Sequence, residues 1–195
     1  MLIYDISREV FQAKVYPGDP IPEFERVKKI SKGDICNLSM IKTCAHNATH
    51  VDAPFHFYEN GKTTEEIELQ KCVGECIVIE RSGKIMAEDI RTVLENTKLR
   101  KILLKGEIEI TREAAQMMAD KDLELLGVEG FTVGTEETSC DVHRVLLAKE
   151  IVIVEALDLS KVSSGKYFLV SAPVKYGHLD GAPCRAMLFG QDKEG

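Results

Sequence analysis

The sequence predicts a single α/β domain with a mixed β-sheet, and three observations carry that expectation. The 195 residues suffice for one good-sized domain and fall short of two. No internal repeat, low-complexity tract or Gly/Ser linker divides them. Short β-branched runs alternate with three stretches of helical period, mostly in the second half, which is the order of a mixed α/β sheet. The domain is therefore drawn over residues 1–195.

Residues 2–6 (LIYDI) read as a first strand, followed by the turn cluster YPGDP at 16–20, where Pro sets φ and Gly supplies positive φ. Residues 24–30 and 38–44 read as strands, and 76–80 as a short apolar, β-branched one. Residues 87–95 are expected to be helical, with Ile90, Val93 and Leu94 on one stripe. A strand at 102–104 precedes a helix at 111–119 that Thr111 can cap. A strand at 123–128 leads to a helix opening at Ser139 or Asp141 and running to Leu147. Strands at 151–157, 167–171 and 185–189 complete the chain.

Hydrophobic residues at 44% and charged residues at 29% are globular proportions, and the net charge of −7 offers no basic stripe for nucleic acid. The N-terminus MLIYDIS lacks a cationic, apolar leader, and no apolar run reaches membrane-spanning length. A cytoplasmic address follows, with no nucleic-acid or membrane partner. Six scattered cysteines (36, 44, 72, 76, 140, 184), with no C-x-x-C pair, are expected to be reduced and mostly buried.

Chemistry concentrates in one window. Three of the five histidines, His46, His50 and His56, fall within eleven residues together with Asp52, spelling H-x-x-x-H-x-D-x-x-x-H. Imidazole and carboxylate are the usual ligands of zinc and its neighbours. Thr49, Val51 and Pro54 disfavour a helix here. In an extended chain His50 and Asp52 lie on one face about 7 Å apart, close enough to share an ion. His46 and His50 would be about 13 Å apart, so a shared metal requires a turn near Asn47-Ala48.

Glu155 ends the run Ile151–Val154, which reads as a strand buried on both faces, where a carboxylate needs a partner or a metal. Arg144, Arg185 or Lys175 would equally serve as that partner. His143 lies off the apolar stripe of its helix, Val142, Val145 and Leu146, and a structural role fits it as well as ligation. His178, in a glycine-rich turn, reads as surface or pocket lining, Arg185 as a structural ion pair, and Glu136-Glu137 as a solvated loop pair.

The segment HNATHVDAPFHF resembles the H-x-G-T-H-x-D-x-P-x-H signature of the cyclase family of metal-dependent hydrolases, which includes bacterial kynurenine formamidases and isatin hydrolase. The likeness continues through YPGDP, DVHRVLL, IVEAL and LDGAPCRAMLF, in order along nearly the whole chain. The resemblance implies a compact α/β fold of the swivelling β/β/α type, assembled as a homodimer or homotetramer. It implies two zinc ions per subunit, or manganese in their place. His46, His50 and Asp52 would hold the first metal, Asp52 would bridge to the second, His143 would be a ligand of the second, and Glu155 a carboxylate shared by both. His56 would be the general acid/base, and Tyr16 stands where the kynurenine formamidases carry a substrate-lining Trp. Ala48 replaces the motif's usual Gly, so a right-handed, extended or mildly strained backbone is expected there. The small-molecule chemistry so implied is arylformamidase hydrolysis of N-formylkynurenine. Alternatives are hydrolysis of another amide, lactam or ester, and a catalytically silent metal-binding protein.

Overall fold

In the computed structural model, which describes residues 1–135 and 137–190, thirteen strands are β1 Leu2–Asp5, β2 Glu23–Lys28, β3 Leu38–Lys42, β4 His50–Asp52, β5 Val73–Glu80, β6 Gly83–Ile85, β7 Lys101–Lys105, β8 Ile108–Ile110, β9 Leu125–Val128, β10 Val152–Glu155, β11 Gly165–Val170, β12 Gly181–Pro183 and β13 Met187–Gly190. The helices are a single turn, α1 Leu69–Cys72, and three longer ones, α2 Ala87–Glu95, α3 Arg112–Asp120 and α4 Ser139–Leu147. Nine strands form one sheet in the order β1-β13-β11-β5-β7-β9-β10-β4-β12. Its middle, β5-β7-β9-β10, is parallel, and both wings are antiparallel. The expected α/β domain with a mixed sheet is what the chain forms.

Strand alternation divides the core into two. Ile102, Leu104, Leu126, Val128 and Ile153 face α2, α3 and α4, whose buried stripes include Ile90, Leu94, Met118, Val142 and Leu146. The intervening Leu103, Leu125, Val152 and Val154 face a second cluster with Val78, Leu169 and Leu188. Ile6, beyond the β1 edge, and Val51, near the opposite edge, enter this same cluster, so the sheet curls over its own face. Thr111 caps α3 by accepting from Ala114 N–H, the role its sequence position predicts.

The differences from expectation are short elements. β6, β8 and β12 have three residues each, too few for a periodicity to register. β2 and β3 pair as a separate two-stranded arm whose residues are all exposed, rather than joining the core. All six cysteines are free. Cys72, Cys76 and Cys184 are buried, Cys44 is half-buried, and Cys36 and Cys140 are exposed, so fewer are buried than expected. Cys36 belongs to the exposed arm region, and Cys140 lies in the first turn of α4, facing a cavity. Arg185 does pair with a carboxylate, that of Asp5. Glu137 is in an irregular segment, and Glu136 lies outside the described residues. Among the described residues no helix is long and apolar enough to cross a membrane.

Leu103, fully buried on a central strand, should be a strong anchor. Leu103→Ala is expected to destabilise the fold by about 3 kcal/mol, within the range for a buried leucine that leaves a cavity. The midpoint of urea unfolding checks this; an unchanged midpoint would mean that the core closes over the gap.

Candidate metal centre

The window around His46 folds into a turn, a strand and a 3₁₀ turn, and each supplies a functional side chain. Residues 45–49 turn the chain, as a shared metal site for His46 and His50 requires, and the two imidazoles meet edge to face with centroids 5.0 Å apart. Ala48 has φ 55, so the strained member of the expected conformations is the one adopted, in the left-handed region. That geometry costs a non-glycine residue on the order of 1–2 kcal/mol. It turns the Ala48 carbonyl toward His50, whose Nδ1–H donates to it at 2.8 Å.

β4 lies between β10 and β12. Its register sets His50 directly opposite Glu155 and Asp52 opposite Gly181. His50 and Asp52, two residues apart, share the face on which Glu155 projects. Thr49 holds the strand's entrance: its hydroxyl donates to the Ala156 carbonyl at 2.7 Å and accepts from Arg8 N–H at 2.8 Å. His56 follows on the 3₁₀ turn Pro54–His56, where Pro54 occupies an early position that needs no N–H donor.

His143 reaches the same point from α4. Its Nδ1–H donates to the Ser139 carbonyl one turn back at 2.8 Å, and its ring stacks on Phe57 at 4.8 Å. Nε2 is thereby left 3.2 Å from Glu155 and 3.4 Å from Asp52. Glu155 pairs with none of the cations considered from the sequence. Its neighbours are His50 and His143.

Three ligand sets adjoin, His46 with His50 and Asp52, Asp52 with His143 and Glu155, and, nearer the surface, His46 with His56 and Asp180, the ligating atoms of each within 4.8 Å of one another. Three buried atoms here, His50 Nε2, Asp52 Oδ2 and Glu155 Oε1, lack any hydrogen-bond partner. Orphaned lone pairs and two buried carboxylates converging on one spot are costly without a cation. Both buried histidines whose Nδ1–H is tied to a backbone carbonyl offer Nε2 as the free ligand, the usual outer-shell arrangement of metal sites. The residues present therefore fit a divalent metal, and the nitrogen–oxygen set suits zinc, manganese or iron.

The metal-free electrostatics agree. Burial alone would lower the pKa of His46, but hydrogen bonds to Asp180 and Asp52 raise it to about 11. For His143 burial is likewise outweighed, by Asp52 and Glu155, and its pKa rises to about 10. Burial opposes ionisation of Asp52 too, yet the imidazoles of His143, His46 and His50 around it hold it well below the carboxylate range. Glu155 is pushed up, by burial first and by the Asp52 charge second.

The cluster floors a cavity of about 410 Å³ whose walls include Tyr16, Phe57 and Phe131. All seven residues singled out from the sequence are thus gathered at one place or beside it, with Tyr16 at the wall. A larger cleft of about 600 Å³, beside Arg8, Gly106 and Glu129, has no comparable convergence of ligating groups among the described residues. His178 is on the surface, its side chain almost wholly exposed. One participant was not foreseen: Asp180, whose Oδ2 lies 2.9 Å from His46 Nε2 and 3.4 Å from His56 Nδ1. Its only sequence signal is its place in the closing LDGAP segment.

A buried imidazole–carboxylate cluster beneath an aromatic-walled cavity makes this an α/β protein able to hold a metal there. Residues 4–135 match the model of the cyclase family, described as "Putative cyclase". The chain belongs to that family of metal-dependent hydrolases. It is 27% identical to kynurenine formamidase of Erythrobacter litoralis (strain HTCC2594), over 95% of this chain and 93% of that protein. It is similar to the structure of a predicted metal-dependent hydrolase from Bacillus stearothermophilus, with TM-score 0.81, 27% identity, and 96% and 97% of the two chains covered. Isatin hydrolase bound to thioisatinate shares the fold, with TM-score 0.80 at 17% identity over 95% and 91% of the chains.

Because His46 and His143 hold their protons to about 11 and 10 without a metal, ligation has to displace them. Zinc or manganese added to metal-free protein is expected to release protons and to bind more weakly as pH falls. It should also stabilise the fold, by about 2.7 kcal/mol at a hundred times Kd. Calorimetry in buffers of different ionisation heat checks the proton count; affinity independent of pH would contradict this ligand set.

Proposed function

We propose that the protein hydrolyses a small aromatic amide with two divalent metals, and that N-formylkynurenine is its substrate, yielding kynurenine and formate. The observation that carries the reading is the pair of adjoining ligand sets sharing Asp52 at the floor of an aromatic-walled cavity. The name of the Erythrobacter relative supports the formamidase reaction, at an identity that leaves the substrate a proposal. Tyr16 in the cavity wall favours a flat aromatic group, and is also the position where a different amide, lactam or ester would be admitted.

His46, His50 and Asp52 would hold one metal and Asp52, His143 and Glu155 the other, zinc or manganese. Bound there, such ions lower the pKa of water toward neutrality and polarise a carbonyl. The chain's own contribution begins with Tyr16, Phe57 and Phe131, which confine the aryl group and exclude bulk water. His56 stands at the cavity edge, half-buried, its ring 4.0 Å from that of His46. It takes a proton from the attacking water and returns it to the departing nitrogen.

Assembly belongs to the same proposal: the β2–β3 arm binds a second copy of this chain. Ile21, Phe24, Val27, Ile30, Ile35, Leu38, Met40 and Ile41 are each about half exposed or more. Together they offer on the order of 1,000 Å², more than the roughly 800 Å² each partner contributes to a standard interface. A lone two-stranded hairpin is marginal in water, so such an arm needs a partner. Residues 21–42 carry five basic and three acidic side chains, a net +2 in a chain of −7, so the arm is attracted to the acidic body of another copy. Asp19 and Cys44, at the arm's two roots, line the cavity, which puts the interface beside the substrate entrance.

Purified protein stripped of metal and reloaded with zinc or manganese is expected to turn over N-formylkynurenine only when loaded. His56→Ala should keep its metal and lose about 10²–10⁴-fold in kcat, the usual share of a general acid/base. Unchanged kcat would remove His56 from the reaction, and metal binding without turnover would redirect the search to other amides, lactams and esters. Light scattering is expected to give a dimer or larger for the wild type and a monomer for Phe24→Asp/Ile41→Asp. A wild type that is monomeric at micromolar concentration would overturn the arm's role.

A further inference from the structure

We infer that Asp180 is a positioning residue that sets the tautomer and ring orientation of two histidines at once, the ligand His46 and the proton carrier His56. The inference rests on the metal-centre reading above and adds a residue to it. A single oxygen, Asp180 Oδ2, lies 2.9 Å from His46 Nε2 and 3.4 Å from His56 Nδ1. A carboxylate only accepts, so each facing nitrogen carries the hydrogen. Without a metal His46 is held at both nitrogens, Nε2–H by Asp180 and Nδ1–H by Asp52 Oδ1 at 2.8 Å. With a metal in the first ligand set Nδ1 gives up its hydrogen, and Asp180 keeps His46 as the Nε2–H tautomer with its Nδ1 lone pair toward that set. His56 is the Nδ1–H tautomer, which leaves Nε2 as the atom free to accept a proton. Without the carboxylate both rings are free to flip or to exchange tautomers, and each exchange removes a lone pair from where it is needed.

The backbone around Asp180 is built to hold that oxygen in place. The Asp180 carbonyl accepts from Ala53 N–H at 2.9 Å, tying it to the residue that opens the 3₁₀ turn bearing His56. The neighbouring Leu179 carbonyl accepts from Thr64 N–H at 3.0 Å. Gly181 follows, and a Cβ there would stand 2.6 Å from His46 Cε1, so the imidazole packs flush against the start of the strand that follows Asp180. The His46 and His56 rings lie 4.0 Å apart and 30° from parallel, so a carboxylate beside their shared edge reaches both. These anchors are main-chain groups, and the Asp180 side chain is 40% exposed, so its removal leaves the segment in place.

The test uses cobalt(II) alone, whose visible spectrum reports ligand geometry, on the wild type, Asp180→Ala and Asp180→Asn. Asp180→Ala is expected to lose about 10–100-fold in affinity for the first cobalt, the usual effect of removing an outer-shell partner, with a shifted visible band. Asp180→Asn, whose amide oxygen still accepts, should recover most of both. Imidazole ¹⁵N NMR of the zinc-loaded wild type needs no variant and should show His46 protonated at Nε2 and His56 at Nδ1. The opposite tautomer at either ring would overturn the inference, as would wild-type cobalt affinity and spectrum in Asp180→Ala. A wild type that binds no cobalt would instead overturn the metal-centre reading, and this inference with it.

Discussion

Two carboxylates are buried almost completely within reach of the same histidine, Asp52 at the end of β4 and Glu155 at the end of β10. Placing like charges together in a low-dielectric interior is unfavourable by several kcal/mol per ion unless positive charge intervenes. In this protein it intervenes from three directions, through His46, His50 and His143, and the remaining lone pairs point at space a cation would fill. The turn at 45–49, the register of β4 and the docking of α4 all serve to bring those imidazoles to the carboxylates. The rest of the sheet holds the geometry rigid.

That rigidity comes from the parallel middle of the sheet. β7 and β9 are buried on both faces by the two apolar clusters, and β10 continues the same layer. Its carboxyl end is where an open α/β sheet leaves room for a ligand. Backbone strain collects there too: Ala48 and Ala156 flank the site in left-handed geometry, and Thr49 joins the two segments by accepting from Arg8 and donating to Ala156. Strain of this kind persists where the surroundings over-determine it, and it aims carbonyls that glycine would leave free to move.

Much of this was legible in the chain. Strong periodicity located α2, α3 and α4 and the buried strands near 102–104, 123–128 and 151–157 to within a few residues. The density of imidazole in one short window marked the centre, because histidine is scarce elsewhere in the sequence. Elements of three residues escaped, since a period cannot be read from so few positions. Asp180 escaped for a different reason: an aspartate in a glycine-containing turn is ordinary in sequence, and it is separated from His46 by 134 positions. The exposure of the β2–β3 arm was also invisible, because the apolar residues interspersed through EFERVK and LSMIK look the same whether their partner is the chain's own core or another surface.

What the sequence determined by itself was local: element type, the imidazole and carboxylate side chains that gather at the site, the need for a turn near Asn47-Ala48, and the family whose pattern the residues follow. Those depend on residue chemistry and on periods of two and 3.6, which neighbouring positions express directly. Only the tertiary structure decided which atoms meet. His50 faces Glu155 because of a strand register, His143 presents Nε2 because Ser139 holds Nδ1, and Asp180 joins because β12 packs beside β4. Such pairings are set by the packing of the whole sheet, where the energy of burying apolar side chains chooses one register over its neighbours.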